Sequence, residues 1–209
     1  MPPEPFLSGL PIVAILRGIT PDRVLTVGQV LFDAEIRAIE VPLNSPDPYD
    51  SVGRLSEKFG ELCLCGAGTV LTTEDVQRVH KSGAKLIVSP NTDPAVIGRA
   101  RDLDMLAMPG FATATEAFAA IAAGATHLKL FPAASYGPNH LKAIKAVLPK
   151  SVPVFAVGGI GADQIPGWWN AGASGFGFGS ELFRPEYTLD EIAIRARRLV
   201  DAVRRVAQE

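Results

Sequence analysis

The amino-acid sequence predicts an α/β fold, a (β/α)8 barrel built by residues 1–209 as one domain. Three observations lead there. Short β-rich apolar runs recur along the chain, amphipathic stretches of helical period separate them, and capping signals bracket several of those stretches. Eight runs at this length suggest a sheet that closes on itself. An open, doubly wound sheet is the competing architecture, because local patterning does not encode closure.

The first run is Ile12-Val13-Ala14-Ile15-Leu16, and Thr20-Pro21-Asp22 after it reads as a helix start with a capping threonine and a proline at the first helical position. The second run is Ile36 to Val41 and the third Leu62 to Cys65. Thr72-Thr73-Glu74-Asp75 opens another helix, which Gly83 closes before the fourth run, Leu86-Ile87-Val88. Met105 to Met108 is the fifth run, and Gly124 precedes the sixth, His127 to Phe131. Val154 to Val157 is the seventh; Gly172, in Asn170-Ala171-Gly172-Ala173, closes a helix before the eighth, Gly175 to Phe178. Glycine past a helix end accepts the left-handed conformation that terminates it. No linker, low-complexity tract or charge block marks a second domain.

Composition narrows the function. With 47% hydrophobic residues and a formal net charge of -2, the chain has the means for one substantial core and lacks the basic cluster a nucleic acid or an anionic membrane surface requires. A small-molecule ligand is the expected partner. No apolar stretch approaches the roughly 18 residues that span a bilayer, and the Pro-rich start, Met1 to Pro5, lacks the layout of a signal peptide, so the expected location is cytoplasmic. Cys63 and Cys65, the only cysteines, are two apart in a strand-like segment, where they share one face as small buried groups rather than forming a disulfide framework.

In such a barrel, reacting groups gather where strands run into their following loops, because that face opens a concave site. Arg17 follows the first run, Glu40 lies near the end of the second, Thr69 follows the third and Lys129 lies near the end of the sixth. Lys129 stands in the apolar segment Leu128-Lys129-Leu130-Phe131-Pro132, and nothing about a buried strand requires a cation there. Desolvation favours the neutral amine, which can add to a carbonyl; the segment alone fits equally well a lysine whose stem runs past apolar neighbours to water.

Alternation in Ala38-Ile39-Glu40-Val41-Pro42 puts Ala38 and Glu40 on one face, pointing inward. Alone, that carboxylate reads as a structural ion-pair partner. An inward glutamate and an inward lysine in one barrel mouth instead fit Schiff-base chemistry, which needs an amine and a proton shuttle. Arg17 is read either as a surface residue or as a two-pronged donor to a carboxylate. Thr69, in Gly66-Ala67-Gly68-Thr69, has glycines that permit close approach of a ligand. The glycine-rich segments Val157-Gly158-Gly159-Ile160 and Gly175-Phe176-Gly177-Phe178-Gly179-Ser180 follow or form the last two runs, where exposed backbone N–H groups can hold a phosphate.

Taken in order, Ile39-Glu40-Val41, Gly66-Ala67-Gly68-Thr69-Val70, Leu128-Lys129-Leu130-Phe131-Pro132-Ala133 and Gly158-Gly159-Ile160 resemble the successive signatures of the class I 2-keto-3-deoxy-6-phosphogluconate and 2-keto-3-deoxy-6-phosphogalactonate aldolases, TIM-barrel enzymes. The resemblance covers nearly the whole chain. It implies that Lys129 forms the Schiff base, that Glu40 shuttles protons through a positioned water, that Thr69 and Pro90 line the pyruvate half of the site, and that Gly158, Gly159, Gly179 and Ser180 hold the phosphate. It further implies a homotrimer acting on a phosphorylated keto-deoxy sugar acid, with no cofactor. Where the gluconate branch carries Thr-Leu-Arg after its glutamate, this chain has Pro42-Leu43-Asn44, and its arginine stands in Ile15-Leu16-Arg17-Gly18-Ile19-Thr20, as in the galactonate branch. Arg17 would then take the substrate carboxylate. Pro90-Asn91 in place of Pro-Gly and Val157 in place of threonine point to the same branch and make Val157 a residue that bears on the C4 hydroxyl.

Two rival readings are a metal-assisted epimerase or decarboxylase and a non-catalytic sugar-phosphate sensor. His80, His127 and His140 show no close pairing that would supply a metal site, and His127 is expected to pack in the barrel. The pairing of Lys129 with Glu40 speaks against the sensor.

Overall fold

The computed structural model describes residues 5–207, so Met1 to Glu4 of the Pro-rich start lie outside the described residues. Its strands are β1 (Ile12–Ile15), β2 (Ala38–Pro42), β3 (Leu64–Gly68), β4 (Leu86–Val88), β5 (Leu106–Met108), β6 (Gly110–Phe111), β7 (Leu128–Leu130), β8 (Val154–Val157) and β9 (Gly175–Phe178). Its helices are α1 (Pro5–Ser8), α2 (Val24–Asp33), α3 (Pro48–Phe59), α4 (Thr73–Lys81), α5 (Pro94–Asp102), α6 (Ala114–Ala122), α7 (Ala133–Tyr136), α8 (Pro138–Lys145), α9 (Ile165–Asn170) and α10 (Leu189–Ala207), with a 3-10 turn at Ala162–Gln164.

All strand pairings are parallel, in the order β5-β4-β3-β2-β1-β9-β8-β7-β6. The two ends of that ladder are one stretch of chain interrupted at Pro109. Its first half pairs with β4 and its second with β7, and the Pro109 carbonyl accepts the Lys129 N–H at 2.9 Å. A proline has no N–H to give the ladder, so the strand breaks there, just past the expected fifth run, and resumes as β6, through which the circuit closes. The expected eight-fold barrel is thus present with nine strand segments.

Three local expectations shift. Ile36 donates its N–H back to the Leu31 carbonyl at 3.0 Å and so finishes α2 before β2 begins. Leu62 and Cys63 likewise donate to Phe59 at 2.7 Å, and β3 starts at Leu64 and runs on through Gly66 and Gly68, glycines whose sequence reads as loop. After Thr20, the chain makes a turn without a side-chain cap and α2 starts at Val24. In contrast, the Thr72 side chain caps α4 by accepting from Asp75 N–H at 3.1 Å, and Gly83, Gly124 and Gly172 follow their helices with φ of 82°, 104° and 99°.

Strand alternation sorts the apolar side chains into two cores. Ile12, Ala14, Ile39, Val41, Cys65, Leu128 and Leu130 pack outward against the helices, together with Cys63. Val13, Ile15, Ala38, Leu64, Leu86, Val88, Leu106, Met108, Phe155 and Val157 fill the interior, and Leu7 of α1 joins them. The expected shared face of Cys63 and Cys65 is therefore the helix-facing one. In β9, Phe176 and Phe178 point outward, and Gly175 and Gly177 leave room inside for Phe155 and Val157. Those two glycines are strand positions chosen for size, so of the expected phosphate segment Gly179 and Ser180 lie past the strand.

Candidate active site

Because Leu128 and Leu130 both face the helices, Lys129 must face the barrel interior. The same alternation turns Glu40 inward beside Ala38, as expected. Both side chains are withdrawn from water, Glu40 at 2% and Lys129 at 6% exposure, which decides against a lysine that merely reaches solvent. β2 sets Glu40 in register with Ile15 and Gly66, and β7 sets Lys129 in register with Gly110 and Phe155.

The two line one cavity of about 350 Å³ at the ends of the strands, together with Arg17, Val157, Gly158, Gly159, Gly179 and Ser180. The structure therefore brings together eight of the ten residues singled out in the sequence. Thr69 and Pro90 sit at the ends of β3 and β4, half-buried and outside the wall of this cavity. Thr69 has a φ of 56°, a left-handed conformation uncommon for threonine, forced as the chain turns for Val70 to donate to Val88. Ile15, Phe131, Ile160, Gly177, Phe178 and Glu181 complete the wall. Phe131 and Ile15 were within reach of sequence reasoning, being two residues from Lys129 and Arg17 on the same strand faces. Glu181 carried no such signal.

Burial pushes the Glu40 carboxyl up to about 7, against the opposing pull of Lys129, Arg17 and the Gly68 N–H. Burial likewise holds the Lys129 ammonium below its ordinary value, with Arg17 adding to the effect and Glu40 opposing it. The Phe131 ring, 4.5 Å from Lys129 Nζ, favours the charged form. Lys129 and Glu40 are not in ion-pair contact, and Glu40 Oε2 has no hydrogen-bond partner. A carboxyl group that titrates near neutrality and an amine that sheds its proton readily are a suitable base and nucleophile.

Arg17 is exposed at the rim, and its Nη1 donates to Asn44 Oδ1 at 2.6 Å, while the next N–H, of Gly18, donates to Ser45 Oγ at 2.9 Å. Asn44 thus ties Arg17 to the turn after β2. After β8, Gly158 and Gly159 have φ of 101° and 73°, left-handed conformations that glycine adopts readily. The Gly158 carbonyl accepts from Ala134 N–H at 3.0 Å, and a Cβ on Gly159 would press on Ala134, so the loop after β8 is seated on α7. Arg17 follows β1, Gly179 and Ser180 follow its neighbour β9, and Gly158 and Gly159 follow β8, so the cation and the two glycine turns meet around one mouth.

Among the described residues, no group of three His, Cys, Asp or Glu side chains could hold a metal ion. His80 lies on α4 and His140 on α8, where it contacts the Ala112 carbonyl; His127 is buried just before β7, 6.1 Å from the Phe155 ring, and does not line the cavity that holds Lys129. Among the described residues, no helix is long and apolar enough to cross a membrane.

Comparison with known proteins agrees with this geometry. Residues 4–196 match the family model described as KDPG and KHG aldolase. The chain is 45% identical, over 95% of its length and 97% of the relative's, to 2-dehydro-3-deoxy-6-phosphogalactonate aldolase of Escherichia coli strain K12. The solved structure described as native KDPGal superposes with a TM-score of 0.95 at 45% identity, covering 96% of this chain and 98% of that one. A KDPG aldolase from Legionella pneumophila, solved with pyruvate captured at low pH as a covalent carbinolamine intermediate, superposes with a TM-score of 0.82 at 25% identity, covering 98% and 97%.

Proposed function

The chain belongs to the KDPG and KHG aldolase family, and from that premise we propose that it is a class I aldolase cleaving 2-dehydro-3-deoxy-6-phosphogalactonate to pyruvate and glyceraldehyde 3-phosphate. The observation that carries the imine route is the burial of Lys129 and Glu40 in one cavity, with the amine shifted towards its neutral form and the carboxyl raised to about 7. The 45% identity to the galactonate enzyme supports the choice of epimer, as does Arg17 at the rim beside Asn44.

Neutral Lys129 attacks the C2 ketone, and loss of water from the carbinolamine leaves a protonated imine. Glu40, directly or through a water, removes the proton of the C4 hydroxyl. The C3–C4 bond then breaks, its electron pair moving into the imine to give a pyruvate enamine while glyceraldehyde 3-phosphate departs. Proton return at C3 and addition of water release pyruvate and regenerate the amine. Arg17 holds the carboxylate; the N–H groups around Gly158, Gly159, Gly179 and Ser180 hold the phosphate; Thr69 and Pro90 back the pyruvate half; Val157 meets the sugar chain near C4. The phosphate lies away from the breaking bond, so its grip serves alignment.

The test is borohydride reduction with pyruvate, which is expected to add three carbons to the peptide containing Lys129, together with a lyase assay on both C4 epimers. A correctly folded Lys129→Ala variant that still turns over would remove the assignment. Faster cleavage of the gluconate epimer would move the enzyme to the other branch with its mechanism unchanged. The family likeness also supports a homotrimer, which sedimentation analysis checks. A phosphate dianion does not cross a bilayer unaided, which supports a cytoplasmic location, to be checked by fractionation.

A further inference from the structure

The segment from Gly179 to Tyr187, between β9 and α10, starts at the cavity mouth and runs beside Arg17, which follows β1, the strand paired with β9. At its start, the Gly179 carbonyl accepts the N–H groups of Leu182 and Phe183 at 2.8 and 2.9 Å. Among the described residues, no protein acceptor takes the N–H groups of Ser180 and Glu181, which begin that turn at the cavity wall. Further along, Pro185 packs on Gly18, the residue after Arg17, where a Cβ would lie 2.9 Å from Pro185 Cγ. Leu182 and Phe183 bury the first half of the segment, but Arg184, Pro185 and Glu186 are exposed and have no apolar anchor.

Arginines from two distant elements hold the segment in place. Arg23, just before α2, donates through Nη1 to the Pro185 carbonyl and through Nη2 to the Tyr187 carbonyl at 2.8 Å. Arg195 of α10 lies 4.2 Å over the Tyr187 ring and donates to the Glu181 carbonyl at 3.3 Å. A planar guanidinium with two donors spreads its hold over two carbonyls, which a single ammonium cannot match.

We propose that Arg23 is a positioning residue that sets the span between the Arg17 rim and the Ser180 turn, and hence the length of chain accepted between a carboxylate and a phosphate. This rests on the reading above, in which Arg17 takes the carboxylate and the Ser180 turn the phosphate. Arg23 itself touches neither.

Arg23→Met is expected to raise KM for 2-dehydro-3-deoxy-6-phosphogalactonate about ten-fold with kcat within about two-fold, the signature of lost binding rather than lost chemistry. Competitive inhibition by inorganic phosphate should weaken by a similar factor, whereas borohydride trapping of pyruvate on Lys129, which senses the far end only, should keep its rate. Arg23→Lys should recover part of the loss. Unchanged KM and unchanged phosphate inhibition in Arg23→Met overturn the proposal, as does a fall in trapping that matches the fall in turnover. A parent enzyme with no phosphate inhibition at all would overturn the phosphate reading and the proposal with it, a result distinct from an inhibited parent and an equally inhibited variant. If Arg23→Met does not fold, Arg195→Met, which loosens the same segment from α10, decides by the same readouts.

Discussion

Gly68 stands so close to the Glu40 carboxylate that a methyl group at position 68 would overlap it. The Gly68 N–H also pulls that carboxyl toward its charged form, against the effect of burial. The residue at 68 thus both steers the group and leaves room for it. Gly68→Ala is expected to displace Glu40 and cost about 100-fold or more in kcat, the scale that a misplacement of about 1 Å produces, along with about 1–3 kcal/mol of stability from overpacking. Kinetics and urea unfolding of the variant measure both, and near-parental kcat would show that Glu40 tolerates the shift.

The raised carboxyl of Glu40 makes both activity and stability depend on pH. Its value in the folded protein, about 7, exceeds the ordinary 4.5, so the folded state holds this proton more tightly than the unfolded chain. The resulting stabilisation is complete below about pH 4.5 and is lost as pH climbs through about 7. Glu40→Gln has no such proton to lose. Its stability relative to the parent should rise across that window by roughly 3 kcal/mol, read from urea unfolding at each end, and the limb of kcat/KM that rises near neutrality in the parent should disappear.

Arg17 is the cation expected to meet the substrate carboxylate. Losing a charge-assisted, two-pronged hydrogen bond costs about 1.5–3 kcal/mol, so Arg17→Ala should raise KM roughly 10- to 100-fold. Asn44→Ala, which only frees Arg17 to wander, should cost less. Equal effects of the two on KM would place the contact on Asn44 instead.

Val157 lines the cavity wall and is buried. Val157→Thr would place a hydroxyl in the wall beside the sugar chain. The ratio of kcat/KM for the gluconate over the galactonate epimer should rise, by about 5- to 100-fold if the new hydroxyl finds a partner worth about 1–3 kcal/mol. A competition assay with both epimers measures the ratio directly.

How much of this was legible beforehand follows from the range of the interactions involved. Lys129 and Glu40 lie inside short strands, and a period of two residues settles which way each points. Phe131 obeys the same rule. The interruption at Pro109 hid the second half of the fifth strand, because proline and glycine break the apolar pattern although the backbone continues to pair. Gly66 and Gly68 hid the end of β3 for the same reason. Glu181 and the ties of Arg23 lay further out of reach, since the partners of Arg23 are more than 160 positions away and depend on how two loops meet after the barrel has closed. Thr69, singled out by its place after the third run, and Pro90, named through family likeness, both stand outside the wall of the cavity.

Lys129 and Glu40 are fixed by ladder positions on β7 and β2, whereas the residues proposed to hold the phosphate-bearing portion lie in glycine turns and a tied-down surface segment. Carbon–carbon bond formation from pyruvate is therefore separable from the choice of its electrophilic partner. Run in the synthetic direction, the same scaffold can be given new acceptor aldehydes by exchanging residues 158–161 and 179–187, leaving the paired strands that form the enamine untouched.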